Sequence, residues 1–524
     1  MSHYKPDPNK SVNLTIDGIP VIVPEGTRIL EAAKKVDVKI PTLCDHPDLC
    51  KRALCRLCVV ECDGKGKLLA ACANDVWEGV KVVTNNARLV SIRKTILELI
   101  LANHPQECLG CVKNKKCELQ KLAETFGIRE SPFRREAACN LLPKIESETL
   151  VRNMDKCVKC SRCVEVCQEV QTVRAINTSH RSIAYEICTP YGQALSGGPC
   201  VFCGQCAAVC PVGAIYEYDQ TDTVRNALNS SGQHVIAELA SPVAAGMDSE
   251  LNLPEGSVTI GKLVTALKLM GFSKVIDAAV SANETINAEF RELLDRIKNH
   301  GTLPLITSCS PGWINFAEKF YPDLADHLPT GKNPTRNFGV LAKTWYAKES
   351  GADKSKITSV SITPCIVKKH EAKQLSMQTN GFPDVDIALT TQEIARMIKL
   401  AGIDLCNLPE SPFDCVSFDS INTMPGGAME AIVRKVYKAY TGDTSVVPEY
   451  NEVQDHEGLK ETRLDLQGTK VKALAVSGFV NARVVMEAIR RGECDAAFVE
   501  IISCPNGCAA PVNNSPPYVS TKGA

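Results

Sequence analysis

Two short segments, "CVKCSRCVEVC" (157–167) and "CVFCGQCAAVC" (200–210), each place four cysteines at the spacing C-x2-C-x2-C-x3-C. No amphipathic helix or half-buried strand has that period, so these segments must wrap around something that binds sulfur. The chain carries 26 cysteines in 524 residues, most of them before residue 211 and in clusters. "MSHYKPDPNKS" lacks the apolar core of an export signal, so a cytoplasmic location is expected. In that reducing compartment clustered thiolates mean metal rather than disulfides. Cys50, Cys62, Cys139, Cys188, Cys406, Cys415 and Cys494 stand apart and read as ordinary thiols.

The repeated spacing is that of two-cluster ferredoxins, in which the fourth Cys of each run serves the other cluster. One [4Fe–4S] cluster is therefore expected on Cys157, Cys160, Cys163 and Cys210, and another on Cys167, Cys200, Cys203 and Cys206. Upstream, "HPQECLGCVKNKKC" offers Cys108, Cys111 and Cys117, with His104 as the fourth donor three thiolates require. Imidazole in place of thiolate removes negative charge and should raise that cluster's potential. Cys44, Cys55, Cys58 and Cys72 read C-x10-C-x2-C-x13-C, a loop of three with a fourth returning later. That resembles the plant-type [2Fe–2S] pattern with different internal spacing; zinc is the alternative on ligand softness.

Residues 12–23, "VNLTIDGIPVIV", alternate around Asp17-Gly18 as a hairpin would, and Thr27 is placed to cap the helix that follows. Hairpin, helix and Cys loop together resemble a β-grasp ferredoxin. Residues 86–103 have helical periodicity and lead to the second Cys group. After residue 220, apolar runs such as "HVIAELASPVA", "ITSVSITPC" and "CDAAFVEI" alternate with helical segments (285–298, 389–401), which argues for an α/β domain. The expected fold is thus multidomain, α+β and α/β. It comprises a β-grasp [2Fe–2S] domain (10–85), a [4Fe–4S] domain with one His and three Cys ligands (86–144), a two-cluster bacterial-ferredoxin domain (145–222) and a C-terminal α/β domain (223–524). Charge is balanced, 59 basic against 60 acidic residues, which gives no case for nucleic acid or an anionic membrane. No apolar run reaches the roughly 20 residues that span a bilayer.

This order of modules resembles the large subunits of respiratory NADH dehydrogenases and of [FeFe]-hydrogenases. "TSCSPGW" (307–313), "TPCIVKKHE" (363–371) and "EIISCPNGC" (500–508) then line up with the three signature segments of the [FeFe]-hydrogenase catalytic domain, TSCCPxW, MPCxxKxxE and ExMACxxGCxxGGGQP. The resemblance covers nearly the whole chain and implies an [FeFe]-hydrogenase-like C-terminal domain. In that family four Cys hold a [4Fe–4S] cube whose last ligand bridges to a di-iron subsite. Carried over, Cys365 and Cys504 match cube ligands, Cys508 the bridging ligand and Lys368 the lysine that holds a cyanide.

The departures concentrate at the same segments. Ser310 stands where the family has a cube ligand, and Cys309 where it has a proton-transferring thiol. Thr363 and Ile502 replace methionines, and "AAPVNNSP" replaces the Gly-rich end. Glu289 and Glu292 match the outer glutamates of the proton path, but Pro329 stands at the intervening serine and has no hydroxyl. Three readings of Cys309 stay open: relic thiol beside an empty site, substitute fourth ligand, or proton donor in a true hydrogenase where Ser310 ligates iron. A serine alkoxide suits a soft site poorly, which favours a cube on Cys309, Cys365, Cys504 and Cys508.

Such a set implies one [2Fe–2S] and three [4Fe–4S] clusters in series, a fourth [4Fe–4S] at the C-terminal site, and no di-iron subsite. The chain resembles most the hydrogenase-derived large subunit of Stn-type electron-bifurcating transhydrogenases. That resemblance implies an electron-transfer subunit without catalytic residues of its own, in a complex coupling NADPH, NAD+ and ferredoxin. The implied partners are an FMN subunit for NAD(H), an FAD flavoprotein for NADP(H) and soluble ferredoxin. No G-x-G-x-x-G follows a strand and no Walker segment occurs, so no flavin or nucleotide is expected on this chain. The alternatives are a subunit of a multimeric NAD-linked [FeFe]-hydrogenase and a hydrogenase-derived redox sensor.

Overall fold

The structure is a computed structural model and describes residues 7, 9–63, 67–133, 144–374, 376–379, 381–416, 426–443, 449–453, 456–466, 469–504 and 507. Cys139 and Cys508 lie outside the described residues.

The N-terminal hairpin forms as the alternation predicts. Ser11–Ile16 pairs antiparallel with Ile19–Pro24, and Asp17 and Gly18 both take positive φ, 49° and 83°, the turn that matches strand twist. Val12, Leu14, Ile16, Val21 and Val23 face one core with helix Ile29–Lys34. Lys81–Val83 joins Ser11–Ile16 in parallel and completes a five-stranded sheet with Val59–Cys62 and Lys67–Ala70. Thr27 does not cap the helix: Arg28 occupies the N-cap without a side-chain bond. The Thr27 hydroxyl instead donates to the Pro24 carbonyl at 2.7 Å and closes the preceding turn.

Helix Ala87–Ala102 matches its predicted span, with the Asn86 side chain accepting from the Leu89 N–H at 2.8 Å. This cap satisfies one of the N–H groups a helix start leaves over. Helix Glu118–Thr125 follows the second Cys group.

Beyond residue 233 two sheets carry the C-terminal half. In the first, Lys274–Asp277, His234–Leu239, Ile357–Ile362 and Ile387–Leu389 are all parallel. They are buried on both sides, as continuous apolar strands of an α/β sheet should be. In the second, Leu305–Ile306, Phe498–Ile502 and Thr469–Ser477 are parallel, and Leu459–Leu466 and Asn451–Glu452 extend the sheet antiparallel. The two-cluster segment shares its core with this second sheet, Val201 and Phe202 packing in one cluster with Trp313, Phe316, Phe479 and Ile501. The ferredoxin-like module is therefore fused to the C-terminal domain.

Cys309, Cys365 and Cys504 each follow the C-terminal end of a strand, Leu305–Ile306, Ile357–Ile362 and Phe498–Ile502, where parallel sheets place their sites. Among the described residues, no helix is long and apolar enough to cross a membrane.

Candidate metal centres

The two Cys runs enclose two cavities. Cys157, Cys160, Cys163 and Cys210 line one; Cys167, Cys200, Cys203 and Cys206 line the other. These are the crossed sets the spacing predicts. Each run reaches its geometry through residues in the left-handed region, Lys159 (φ 55°) and Ser161 (φ 63°) in the first, Phe202 (φ 60°) and Gly204 (φ 74°) in the second. That conformation is rare for non-glycine residues and turns backbone N–H groups inward. The Lys159 N–H donates to Cys157 Sγ at 3.4 Å, the Phe202 N–H to Cys200 Sγ at 3.4 Å and the Ala175 N–H to Cys167 Sγ at 3.2 Å.

Ser161 and Gly204 hold equivalent places in the two runs, and their difference has a cause. The Ser161 hydroxyl pairs with Tyr185 Oη at 2.6 Å. A Cβ at Gly204 would stand 2.5 Å from Ile366 Cγ2. The C-terminal domain approaches the second run too closely for any side chain.

Burial pushes up the thiols of Cys157, Cys160 and Cys163 in the first set and of Cys167, Cys200, Cys203 and Cys206 in the second, Cys157 to about 11 and Cys160 and Cys200 to about 12. Four such thiolates cannot share a cavity unless cations neutralise them. The donor set fits iron–sulfur clusters.

In the first module Cys58 Sγ lies 3.3 Å from Cys72 Sγ. Cys44 Sγ accepts from the Cys55 N–H at 3.4 Å and is drawn down in pKa by hydrogen bonds from the Cys55 and Cys72 side chains. The structure thus brings Cys44, Cys55, Cys58 and Cys72 together. Cys50 is exposed, and Cys62 is buried with the sheet core.

His104 is half-buried, and its Nδ1, shielded from solvent, has no hydrogen-bond partner. Burial, followed by the Lys156 cation, lowers it to about 4. A neutral imidazole with an orphaned nitrogen is in the state a metal ligand requires. Cys117 interacts electrostatically with Cys111 and Cys108. A Cβ on Gly213 would stand 2.8 Å from Cys111 Sγ, so this loop packs directly onto the ferredoxin-like module.

At the C-terminal site Ser310 Oγ lies 2.8 Å from Ser503 Oγ and accepts from the Ser503 N–H at 3.3 Å. Cys309 is half-buried, packs against the hydrophobic cluster that includes Ile286 and Met429, and its thiol is pushed up by burial and then by the Glu289 carboxylate. Glu289 accepts from the Thr307 hydroxyl at 2.8 Å and from the Ser308 N–H and hydroxyl at 2.8 and 2.9 Å. The N–H of Cys365 donates to the Thr363 hydroxyl at 3.3 Å. Lys368 Nζ binds Thr335 Oγ1 and Glu371 Oε2, the latter at 2.9 Å. From the second ferredoxin-like run, the Gln205 amide reaches Cys504 Sγ at 3.9 Å. This places one residue between the two sites.

Three partners at these sites leave little signal in the sequence. Ser503 faces Ser310; its only signal was a hydroxyl where the family motif has Ala. Next to Pro329, the Thr330 hydroxyl and N–H reach Glu292 at 3.2 and 3.0 Å, and Arg296 Nη2 binds the other carboxylate oxygen at 2.6 Å. A hydroxyl is therefore present one residue from where it was expected. Buried Glu238 accepts from Ser281 and Ser361, the latter at 2.9 Å.

Fold and site define an iron–sulfur oxidoreductase that transfers electrons, with a 2Fe–2S domain, 4Fe–4S ferredoxin-like domains and a hydrogenase-like C-terminal domain. The matching family models agree with this layout. They are a 2Fe-2S iron-sulfur cluster binding domain over 9–87, the NADH-ubiquinone oxidoreductase-G iron-sulfur binding region over 93–132, the NADH-quinone oxidoreductase subunit 3 ferredoxin-like domain over 147–216, and the C-terminal domain of the iron-only hydrogenase large subunit over 233–510. The chain belongs to the iron-only hydrogenase large-subunit family. It is 38% identical to NADP-reducing hydrogenase subunit HndD of Solidesulfovibrio fructosivorans over 514 residues, 95% of this chain and 87% of that one. Iron hydrogenase 1 of Clostridium pasteurianum is 32% identical over 521 residues, 97% and 89% of the two chains. Among solved structures, an apo variant of [FeFe]-hydrogenase HydA1 from Chlamydomonas reinhardtii superposes with a TM-score of 0.53 at 27% identity, covering 58% of this chain and 86% of that one.

Proposed function

We propose that this chain is the iron–sulfur electron-transfer subunit of an electron-bifurcating transhydrogenase coupling NADPH, NAD+ and ferredoxin. Its partners in this reading are an FMN subunit for NAD(H), an FAD flavoprotein for NADP(H) and soluble ferredoxin. The [2Fe–2S] cluster takes Cys44, Cys55, Cys58 and Cys72. The three [4Fe–4S] clusters take His104 with Cys108, Cys111 and Cys117, and the two crossed sets of the ferredoxin-like module. A fourth cube takes Cys309, Cys365, Cys504 and Cys508. The observation that carries the reading is the Ser310–Ser503 hydroxyl pair. At the position resembling a cube ligand, the side chain is a hydroxyl already engaged by a second hydroxyl.

This chain's residues bind and space the clusters, and burial excludes water from them. The clusters, when bound, supply one-electron transfer. Two NADPH release four electrons, of which NAD+ takes two and two ferredoxins take one each, so neither acceptor is reduced alone. The test is NADPH oxidation by the purified complex, which should require both acceptors together. Infrared spectra should show no CO or CN⁻ bands. Such bands, with hydrogen evolution from reduced viologen, would replace this reading with that of a hydrogenase subunit. That second reading draws on the identity to the NADP-reducing hydrogenase subunit and on the retained Cys309–Glu289 proximity.

A further inference from the structure

Arg162 lies between Cys160 and Cys163, with its side chain 5% exposed, and its guanidinium faces two other cysteine loops. Nη2 donates to the carbonyl oxygen of Asp45, the residue after Cys44, at 2.7 Å. Nη1 and Nη2 donate to the two carboxylate oxygens of Glu118, the residue after Cys117, at 2.6 and 2.8 Å. A second strut runs the opposite way: Arg52, from the loop between Cys44 and Cys55, donates through Nε to buried Glu165, between Cys163 and Cys167, at 2.5 Å. The floor of this junction is apolar and also drawn from all three modules: Leu43 and Leu57, Leu97 and Leu119, Val212 and Ala214. The modules meet at one point instead of following one another in chain order.

A planar fork is needed here. The guanidinium serves a bidentate carboxylate and a carbonyl at once, which an ammonium on a flexible stem cannot do in one geometry. Glu118 offsets much of the cation's charge, so the role the geometry favours is placement.

We propose that Arg162 is the positioning residue that holds the Cys44–Cys72 site, the His104–Cys117 site and the Cys157/Cys160/Cys163/Cys210 site in electron-transfer contact. The two outer modules then feed the ferredoxin-like module through a single junction. The proposal rests on the cluster assignments given above, and its test separates the two.

Arg162→Gln and Arg162→Lys are compared with wild type in the whole complex. The readouts are iron content, the EPR signal of each reduced cluster, the magnetic coupling between clusters, and the rate at which the reduced [2Fe–2S] cluster passes its electron on. Arg162→Gln should keep iron content and individual signals, weaken the coupling, and slow that transfer about tenfold or more. Arg162→Lys should be intermediate. Unchanged coupling and rate in Arg162→Gln overturn the proposal and leave the cluster assignments standing. Wild type without the four cluster signals overturns the assignments, and the proposal with them. If Arg162→Gln loses iron, Glu118→Gln carries the test: it leaves the Asp45 contact and should weaken coupling of the His104 cluster alone. No change there overturns the proposal.

Discussion

Ser310 Oγ and Ser503 Oγ lie 2.8 Å apart, one on the loop after strand Leu305–Ile306 and the other on the loop beside Cys504. Each hydroxyl satisfies the other, and packing around them is close: a Cβ on Gly312 would stand 2.6 Å from Ser503 Oγ. A hydroxyl held this way gains nothing by ionising, and as an alkoxide it would be a hard donor in a soft thiolate set. The pair joins, by a local hydrogen bond, two of the loops that carry the candidate site residues.

His104 gives the first prediction. Its orphaned Nδ1 and depressed pKa are those of a neutral ligand. His104→Cys should retain a cluster, because thiolate suits iron, and should lower its potential, because thiolate adds a negative charge. Redox-titrated EPR measures this. A signal set and midpoint potentials identical to wild type would remove His104 from the ligand set.

The second prediction concerns the seam between the ferredoxin-like module and the C-terminal domain. Gly204 takes φ +74° and its missing Cβ would stand 2.5 Å from Ile366 Cγ2. Gly204→Ala meets both strain and overpacking and should destabilise by about 1–3 kcal/mol. Ile366→Ala in the same chain should recover part of it, since that change removes the crowding Cγ2. Thermal unfolding of the double variant against each single variant checks the coupling. Strict additivity would mean the two residues do not interact.

Much of this architecture was legible in the sequence, and the reasons differ by residue. The hairpin at Asp17-Gly18 and the helix over 87–102 follow from local period and turn chemistry. The crossed Cys sets follow from spacing, because a loop of three short steps can close on only one center. Thr27 was misread because a hydroxyl near a helix start serves the preceding turn equally well, and here the Pro24 carbonyl captures it. Ser503, Thr330 and the role of Arg162 were not legible. Each acts on a partner far away in sequence, across 193, 38 and 117 or 44 positions, and only the tertiary fold chooses such partners.

Buried carboxyls supply the third prediction. Burial raises Glu238 and Glu500 from an ordinary 4.5 to about 7. Between those values the folded protein keeps protons that the unfolded chain has lost. Their stabilising contribution is therefore whole below about 4.5 and declines as pH rises to about 7. Glu238→Gln keeps an acceptor for the Ser281 and Ser361 hydroxyls and cannot ionise. It should raise the melting temperature more at pH 8 than at pH 5. An equal shift at both values would show that Glu238 does not titrate on unfolding.

The last prediction concerns Cys309. Burial and the Glu289 carboxylate oppose its thiolate, so the thiolate exists there only if iron supplies the opposing positive charge. If it completes a cube with Cys365, Cys504 and Cys508, the chain holds about 18 iron atoms; if the site is empty, the four other clusters account for about 14. The two adjacent residues should then behave differently. Cys309→Ala should lose about four irons and one EPR component. Ser310→Ala should lose no iron, because its hydroxyl is committed to Ser503, and should cost only about 1 kcal/mol of stability for that hydrogen bond. Iron analysis with EPR on both variants decides it. About 14 irons in wild type and in Cys309→Ala alike would make Cys309 a thiol left beside an empty site, and loss of a cluster in Ser310→Ala would make the serine the ligand.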